Sequence, residues 1–331
     1  MNNSKFRVYI SDYDYPDIEI EKSILEPIGA EVIGLQCKTG EGLGDLAQDA
    51  DAILQQYAKI TESTIAKLQR CKVICRYGIG TDILDLEACS KHGIQVSNVP
   101  DYCLDEVADH SIALGLSLFR RLPQYAHFTN QGNWHWNIDG IVPGRIRKST
   151  WGLIGFGRIA QNIATKVRAL GFKIIACDPY ISKGFMDSFG VEKVELEQLL
   201  TCGDVVNLMC PHTPETNRMI GEKQLKLMKR SAVLVNGARG KLIDNKALHR
   251  ALTSGWIAAA GLDDPEEEPA KLDHWNPQDN PLFGLTNCII TPHVAYVSED
   301  AFLECRRIAA ENAREVLLGG APLNPVHTRQ I

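Results

Sequence analysis

Six consecutive residues, Asp263 to Glu268 in GLDDPEEEP, carry five carboxylates and run into Pro269. A run of like charges is ordinarily a solvated loop whose members repel one another, so chemistry is expected only of a member that escapes that fate. Two further motifs offer groups of other types: NGARG with Arg239 and TPHVAY with His293. All three follow apolar, strand-like runs, and in doubly wound α/β folds ligands collect at the carboxyl ends of strands. A fourth motif, TWGLIGFGRIA, sets Gly155, Gly157 and Ala160 as G-x-G-x-x-A directly after a strand and at the mouth of a helix. Gly155 permits the tight turn, Gly157 lets backbone approach a pyrophosphate, and Ala160 allows close helix packing. The diphosphate is then expected on the N–H groups of the helix N-terminus, where the dipole favours negative charge. Asp178 ends the next apolar run, FKIIACD, 21 residues beyond Gly157. A carboxylate there accepts both ribose hydroxyls and repels a 2′-phosphate, which favours NAD over NADP.

The elements that must hold these groups are legible as alternating strands and helices. FRVYISD (6–12), AEVIGLQ (30–36), DAILQQY (51–57), KVICRYG (72–78) and IQVSNVP (94–100) are short apolar runs separated by polar helical segments, the pattern of a parallel α/β sheet. LDEVADHSIALGLSLFRRLP, Leu104 to Pro123, has apolar residues near a 3.6 period and predicts one long connecting helix stopped by its proline. A second series follows, TWGLIGFG, FKIIACD, DVVNLMC, SAVLVNGA, AAAGLD and NCIITPH: six strand candidates, enough for a full nucleotide-binding domain. A last helical pattern, SEDAFLECRRIAAENAREVLLGG, ends at Gly319 and Gly320.

Composition bounds the function classes. With 331 residues and 44% hydrophobic content, the chain suits about two globular domains. A net charge of -6 and a pI near 5.9 give no electrostatic footprint for nucleic acid. Ten cysteines contain no Cys-x-x-Cys pair, which fits neither a zinc site nor a disulfide scaffold and predicts mostly buried, reduced thiols. MNNSKFRVYISD lacks an apolar signal core and no run of about 18 apolar residues occurs, so a cytoplasmic protein without membrane spans is expected. The acids near His274 and His293 have no metal-ligand spacing, so no metal is expected.

Taken with PHTPETNRMI (211–220), VNGARGKLID (235–244), RYGIGTDILDL (76–86) and NVPDYCLDEVADHS (98–111), these motifs resemble the D-isomer-specific 2-hydroxyacid dehydrogenase family over nearly the whole chain. The resemblance implies two Rossmann-like or flavodoxin-like doubly wound parallel-sheet domains with a cleft between them. One is a discontinuous substrate domain, 1–102 with 298–331; the other, 103–297, binds NAD. It also implies a homodimer that moves a hydride between NADH and a small 2-oxo acid or D-2-hydroxy acid.

Within that resemblance the residues take roles. Arg239 is the planar, always-charged fork that holds a 2-oxo carboxylate and polarises its ketone. His293 is the proton donor and acceptor. Glu268, immediately before proline as in the family pattern, is the carboxylate that orients the histidine. Cofactor contacts are implied for Phe156, Arg158 and Ile159 in the glycine turn, and for Pro179 beside Asp178. Further contacts are implied for Cys210, Pro211, His212 and Thr216, for Ala238, for Asp263 beside the nicotinamide carboxamide, and for His293. Asp264, Glu266 and Glu267 are expected to meet only water. The chain departs from the family in having Asp264 and Pro265 where an apolar pair is usual, and in the long stretch AKLDHWNPQDN (270–280).

Substrate contacts are expected from the backbone N–H groups of Gly78, Ile79 and Gly80, which form a small anion-binding nest beside Arg76. Tyr296 stands where the branch called C-terminal binding proteins has a tryptophan, and TPHVAYVSED is similar to that branch throughout. An aromatic wall there admits a substrate bulkier than glyoxylate. Lys59 reads as an exposed lysine, and Trp134 and Trp136 as packing anchors of a dimer interface. Because that branch contains corepressors, an NAD(H)-responsive interaction protein is the alternative. The chain's end soon after the fold, without a long polar tail, favours the enzyme. By the same pattern Glu268 disfavours formate dehydrogenase, which has glutamine there. The lack of a following regulatory segment disfavours serine-regulated phosphoglycerate dehydrogenase.

Overall fold

The computed structural model describes residues 5–267 and 275–326, so Glu268 and His274 lie outside the described residues. The chain divides into two compact units, Met1–Cys103 with Val297–Ile331, and Leu104–Tyr296.

The first unit is built on five strands, β1 (Phe6–Ile10), β2 (Ala30–Gly34), β3 (Ala52–Gln55), β4 (Val73–Arg76) and β5 (Gln95–Ser97). They form one parallel sheet in the order β2-β1-β3-β4-β5, the flavodoxin-like arrangement. The strands are short apolar runs because both sheet faces are covered. Val8, Ile10, Leu54 and Val73 pack on one side with Ala309, Ala310 and Ala313 of the helix Glu299–Leu317, while Tyr9, Ile53, Ile74 and Val96 pack on the other. That helix is pinned by Arg306, 5% exposed. Its Nε donates to Glu21 Oε1 at 2.9 Å and its Nη2 to Glu21 Oε2 at 2.7 Å, while Tyr77 OH donates to Glu21 Oε1 at 3.0 Å.

The second unit carries seven strands, β6 (Thr150–Ile154), β7 (Lys173–Cys177), β8 (Glu192–Lys193), β9 (Val205–Leu208), β10 (Val233–Asn236), β11 (Ala259–Leu262) and β12 (Cys288–Ile290). Their order is β12-β11-β10-β9-β6-β7-β8, with every pairing parallel. Counted from its own first strand this is the Rossmann order with one added edge strand, and its direction reverses between β6 and β9. Successive residues of each strand feed opposite cores: Leu153, Val205 and Val235 on one face, Ile154, Val206 and Leu234 on the other.

Two expectations are corrected here. The predicted single helix 104–123 is two helices, Leu104–Phe119 and Leu122–Asn130, broken at Arg121 with φ of 60°. Pro123 sits in the first turn of the second helix, where a missing N–H costs nothing, so it marks a start rather than a stop. Among the described residues the second unit has seven strands, not six; β8 is only two residues long, too short to show any period.

Candidate active site

The turn after β6 carries Gly155 and Gly157, of which Gly155 is fixed by the protein's own contacts. Gly155 has φ of 89°, and a Cβ there would lie 2.9 Å from the backbone of Met209 and Cys210, so the ends of β6 and β9 touch at the switch point. Gly157 begins the helix Arg158–Leu170 with no side-chain cap, and a Cβ on it would meet nothing within 4 Å. Beside an uncapped helix N-terminus, that open space fits a dinucleotide diphosphate. Asp178 is braced on the same turn: Oδ2 accepts from Phe156 N–H and Oδ1 from Tyr180 N–H, both at 2.8 Å. Phe156 itself is fully buried against Phe189, so its side chain belongs to the core. Gly157, Arg158, Pro179 and Tyr180 are exposed, and Ile159 is half-buried.

Beyond β9 the residues Cys210–Thr216 form a self-braced loop. Thr216 Oγ1 donates to Pro211 O at 2.8 Å, and His212 Nε2 lies 3.1 Å from Asn217 Oδ1. Burial pushes the Cys210 thiol up to about 11, so it stays protonated and unreactive. Beyond β10, buried Asn236 shapes the arginine turn: Oδ1 accepts from Ala238 N–H at 3.1 Å and Nδ2 donates to Arg239 O at 2.8 Å. Arg239 Nη1 donates to Ala238 O at 2.9 Å. The next residue, Gly240, lies so close to the following loop that a Cβ would stand 2.1 Å from Pro265 O.

That loop is the acidic run, and the expectation that Asp264, Glu266 and Glu267 meet only water is wrong. Asp264 is 6% exposed, and its Oδ2 lies 3.1 Å from His293 Nδ1. Glu266 Oε1 accepts from Arg218 Nε at 2.5 Å and Oε2 accepts from Asn245 N–H at 3.2 Å. Glu267 accepts from Asn245 Nδ2 and Asn280 Nδ2. Like charges close in sequence are separated in space by partners drawn from 13 to 48 residues away.

Asp263, 4% exposed, holds the histidine turn. Oδ1 accepts from Thr291 Oγ1 at 2.6 Å and Val294 N–H at 3.0 Å, and Oδ2 from Ala295 N–H at 2.9 Å. These bonds support a left-handed His293, φ of 56°, whose own N–H donates to Asp263 O at 2.6 Å. A non-glycine residue there is strained by about 1–3 kcal/mol and persists only where its surroundings over-determine it. The His293 ring meets Tyr296 edge-on with centroids 6.1 Å apart. His110 adds a contact that its place in DEVADHS did not signal: Nε2 lies 3.0 Å from Thr291 Oγ1 and 3.4 Å from Asp263 Oδ1. Arg239, Asp264 and His293 are thus delivered by the ends of neighbouring strands β10, β11 and β12.

In the first unit Arg76 ends β4, and among the described residues its buried Nε and Nη1 have no hydrogen-bond partner. Gly78, φ of 129°, lies against this guanidinium; a Cβ would stand 3.2 Å from Nη1. The turn is fixed by Val99 N–H donating to Gly78 O at 3.1 Å and Asn98 Nδ2 to Ile79 O at 2.8 Å. Lys59 is exposed, and Trp134 and Trp136 are 92% and 64% exposed. All ten cysteines are free thiols, five of them buried. Among the described residues no group of three or more His, Cys, Asp or Glu could hold a metal ion, and no helix is long and apolar enough to cross a membrane.

Comparison with known proteins identifies the relatives of the chain. The family model described as "D-isomer specific 2-hydroxyacid dehydrogenase, NAD binding domain" matches residues 112–295. The chain is 40% identical over 311 residues to D-3-phosphoglycerate dehydrogenase of Methanocaldococcus jannaschii, covering 93% of this chain but 57% of that protein. It is 35% identical over 283 residues to glyoxylate reductase of Korarchaeum cryptofilum, covering 85% of this chain and 83% of the relative. Among solved structures, D-lactate dehydrogenase of Aquifex aeolicus complexed with NAD and lactic acid superposes with a TM-score of 0.85 at 28% identity, covering 95% and 96% of the two chains. The chain belongs to the D-isomer specific 2-hydroxyacid dehydrogenase family, and the residues matched by its NAD-binding domain model lie within the unit Leu104–Tyr296.

Proposed function

We propose that the protein is an NAD-dependent oxidoreductase that interconverts 2-oxo acids and D-2-hydroxy acids, with Arg239 holding the acid and His293 handling the proton. One observation carries this reading: the turn bearing Arg239 abuts the loop that touches the His293 ring, with Gly240 against Pro265 O. Bound NADH supplies the hydride that reduces the 2-oxo carbon. Arg239 presents two parallel N–H donors to the carboxylate and ketone oxygens and stabilises the negative charge that grows on the latter. His293 delivers the proton that completes the hydroxyl, and takes it back in oxidation. Tyr296 forms an aromatic wall beside that ring, and Arg76, with the turn Gly78–Ile79–Gly80, provides a further anion-binding group for a carboxylate. The family pattern alone gives the orienting of the His293 ring to a carboxylate, Glu268.

The substrate class proposed is a short 2-oxo acid; the relatives are named for 3-phosphoglycerate, glyoxylate and lactate. A homodimer that covers exposed Trp134 and Trp136 is part of the proposal, as is a cytoplasmic location, which accords with ten unpaired thiols. The test is NADH oxidation with glyoxylate, hydroxypyruvate and pyruvate, and NAD reduction with D-3-phosphoglycerate. Arg239→Ala and His293→Ala should each lose roughly 10²–10⁴-fold in kcat/KM, and NADPH should replace NADH poorly because of Asp178. No turnover with any of these acids, or full rates in both variants, would overturn the assignment.

A further inference from the structure

A carboxylate as buried as that of Asp264, 6% exposed, needs a donor. The donor it faces is His293 Nδ1 at 3.1 Å. The loop leaves it little freedom. Pro265 restricts the residue before it to extended conformations, and Pro265 O is pressed on Gly240. Glu266 and Glu267 then tie the loop to Arg218, Asn245 and Asn280. The ring is held equally firmly from its own side by the left-handed His293 backbone and the three bonds to the Asp263 carboxylate. When Nδ1 donates to a carboxylate, the neutral imidazole must carry its proton on Nδ1, and Nε2 keeps the lone pair.

We propose that Asp264 is the positioning residue of His293: it accepts the Nδ1 proton, so that Nε2 is the atom that exchanges a proton with the substrate oxygen. This rests on the proposed function, and it assigns to an acid at a usually apolar position the task that the family pattern gives to Glu268. During reduction the Nε2–H bond breaks as the substrate O–H bond forms, and the ring returns to neutral with its Nδ1–H still on Asp264. The proton is replaced from water.

The experiment uses the full chain with ¹⁵N-labelled histidine and reads side-chain tautomers from long-range ¹H–¹⁵N spectra, with His293 identified by its loss in His293→Gln. His293 in the unsubstituted protein should show the Nδ1–H form at a pH where it is neutral. Asp264→Ala should abolish that preference and lower kcat on the order of 10²-fold, with the NADH dissociation constant within about twofold. Glu268→Gln should leave the tautomer in place. Where the alanine variant fails to fold, Asp264→Asn serves, because an amide can turn its NH2 toward Nδ1 and reverse the tautomer. A His293 tautomer unchanged in the folded Asp264 variant, or one lost in Glu268→Gln alone, overturns the proposal. The spectrum needs no turnover, so a failure of the enzyme assignment is seen separately, as inactivity of the unsubstituted protein.

Discussion

Gly240→Ala is expected to damage turnover while sparing cofactor binding, and the structure sets the size of the effect. The added Cβ would lie 2.1 Å from Pro265 O, 2.3 Å from Pro265 C and 2.8 Å from Glu266 N, whereas ordinary contact begins at 3.4 Å. All three atoms are backbone, so no side chain can swing aside; the turns carrying Arg239 and Asp264 must separate by about 1.3 Å. Overpacking of this kind costs about 1–3 kcal/mol of stability. A displacement of about 1 Å in a catalytic constellation costs on the order of 10²-fold in rate, equivalent to about 2.7 kcal/mol of transition-state stabilisation. Steady-state kcat/KM on the best 2-oxo acid, NADH affinity by fluorescence titration and thermal unfolding would be measured together. Gly157→Ala is the contrast: its Cβ meets no protein atom within 4 Å, so it should leave the melting temperature alone and weaken NADH binding. A Gly240→Ala enzyme within about threefold of the parent in kcat/KM would refute the reasoning.

Two further outcomes concern the fold. Arg306→Leu strands Glu21, 1% exposed, without its guanidinium and should cost about 3–5 kcal/mol, while adding Glu21→Leu should recover most of it; an unchanged urea midpoint in the single variant would show that the pair contributes nothing. Burial pushes the thiols of Cys75, Cys288 and Cys305 up to about 12 and those of Cys89 and Cys210 up to about 11. Because these folded values lie above the ordinary thiol value of 9.0, their contribution is complete below pH 9 and is lost as pH rises toward 12. Unfolding midpoints measured from pH 8 to 11 should therefore fall, and a flat profile would count against the buried-thiol reading.

The strands were legible because a parallel sheet covered on both faces demands continuous apolar runs, and both units supply them between glycine, proline and polar breaks. The glycine turn was legible for a local reason too. A φ of 89° at Gly155 and the open space at Gly157 are conditions on single residues, and G-x-G-x-x-A states them directly. Asp178 added the acid at the spacing that the next strand imposes.

Tertiary structure alone decided how the charges are used. Asp264 and His293 are 29 residues apart, and His110 and Thr291 are 181 apart; both contacts depend on the register of strands and the docking of a helix, to which charge pattern is blind. In one dimension GLDDPEEEP is five similar carboxylates repelling one another. In three dimensions Asp263 pins a strained turn, Asp264 meets an imidazole, and Glu266 and Glu267 grip the neighbouring loops, because each acid finds its own donor sooner than it meets its neighbour's charge. The break at Arg121 and the two-residue β8 escaped for the opposite reason: they are too short for any period to announce them. Sequence determined which elements form and which residue types stand at their ends, because those are local properties of backbone geometry and hydrophobic spacing. Which carboxylate faces the histidine was left to packing, because that is settled only when distant strand ends come together.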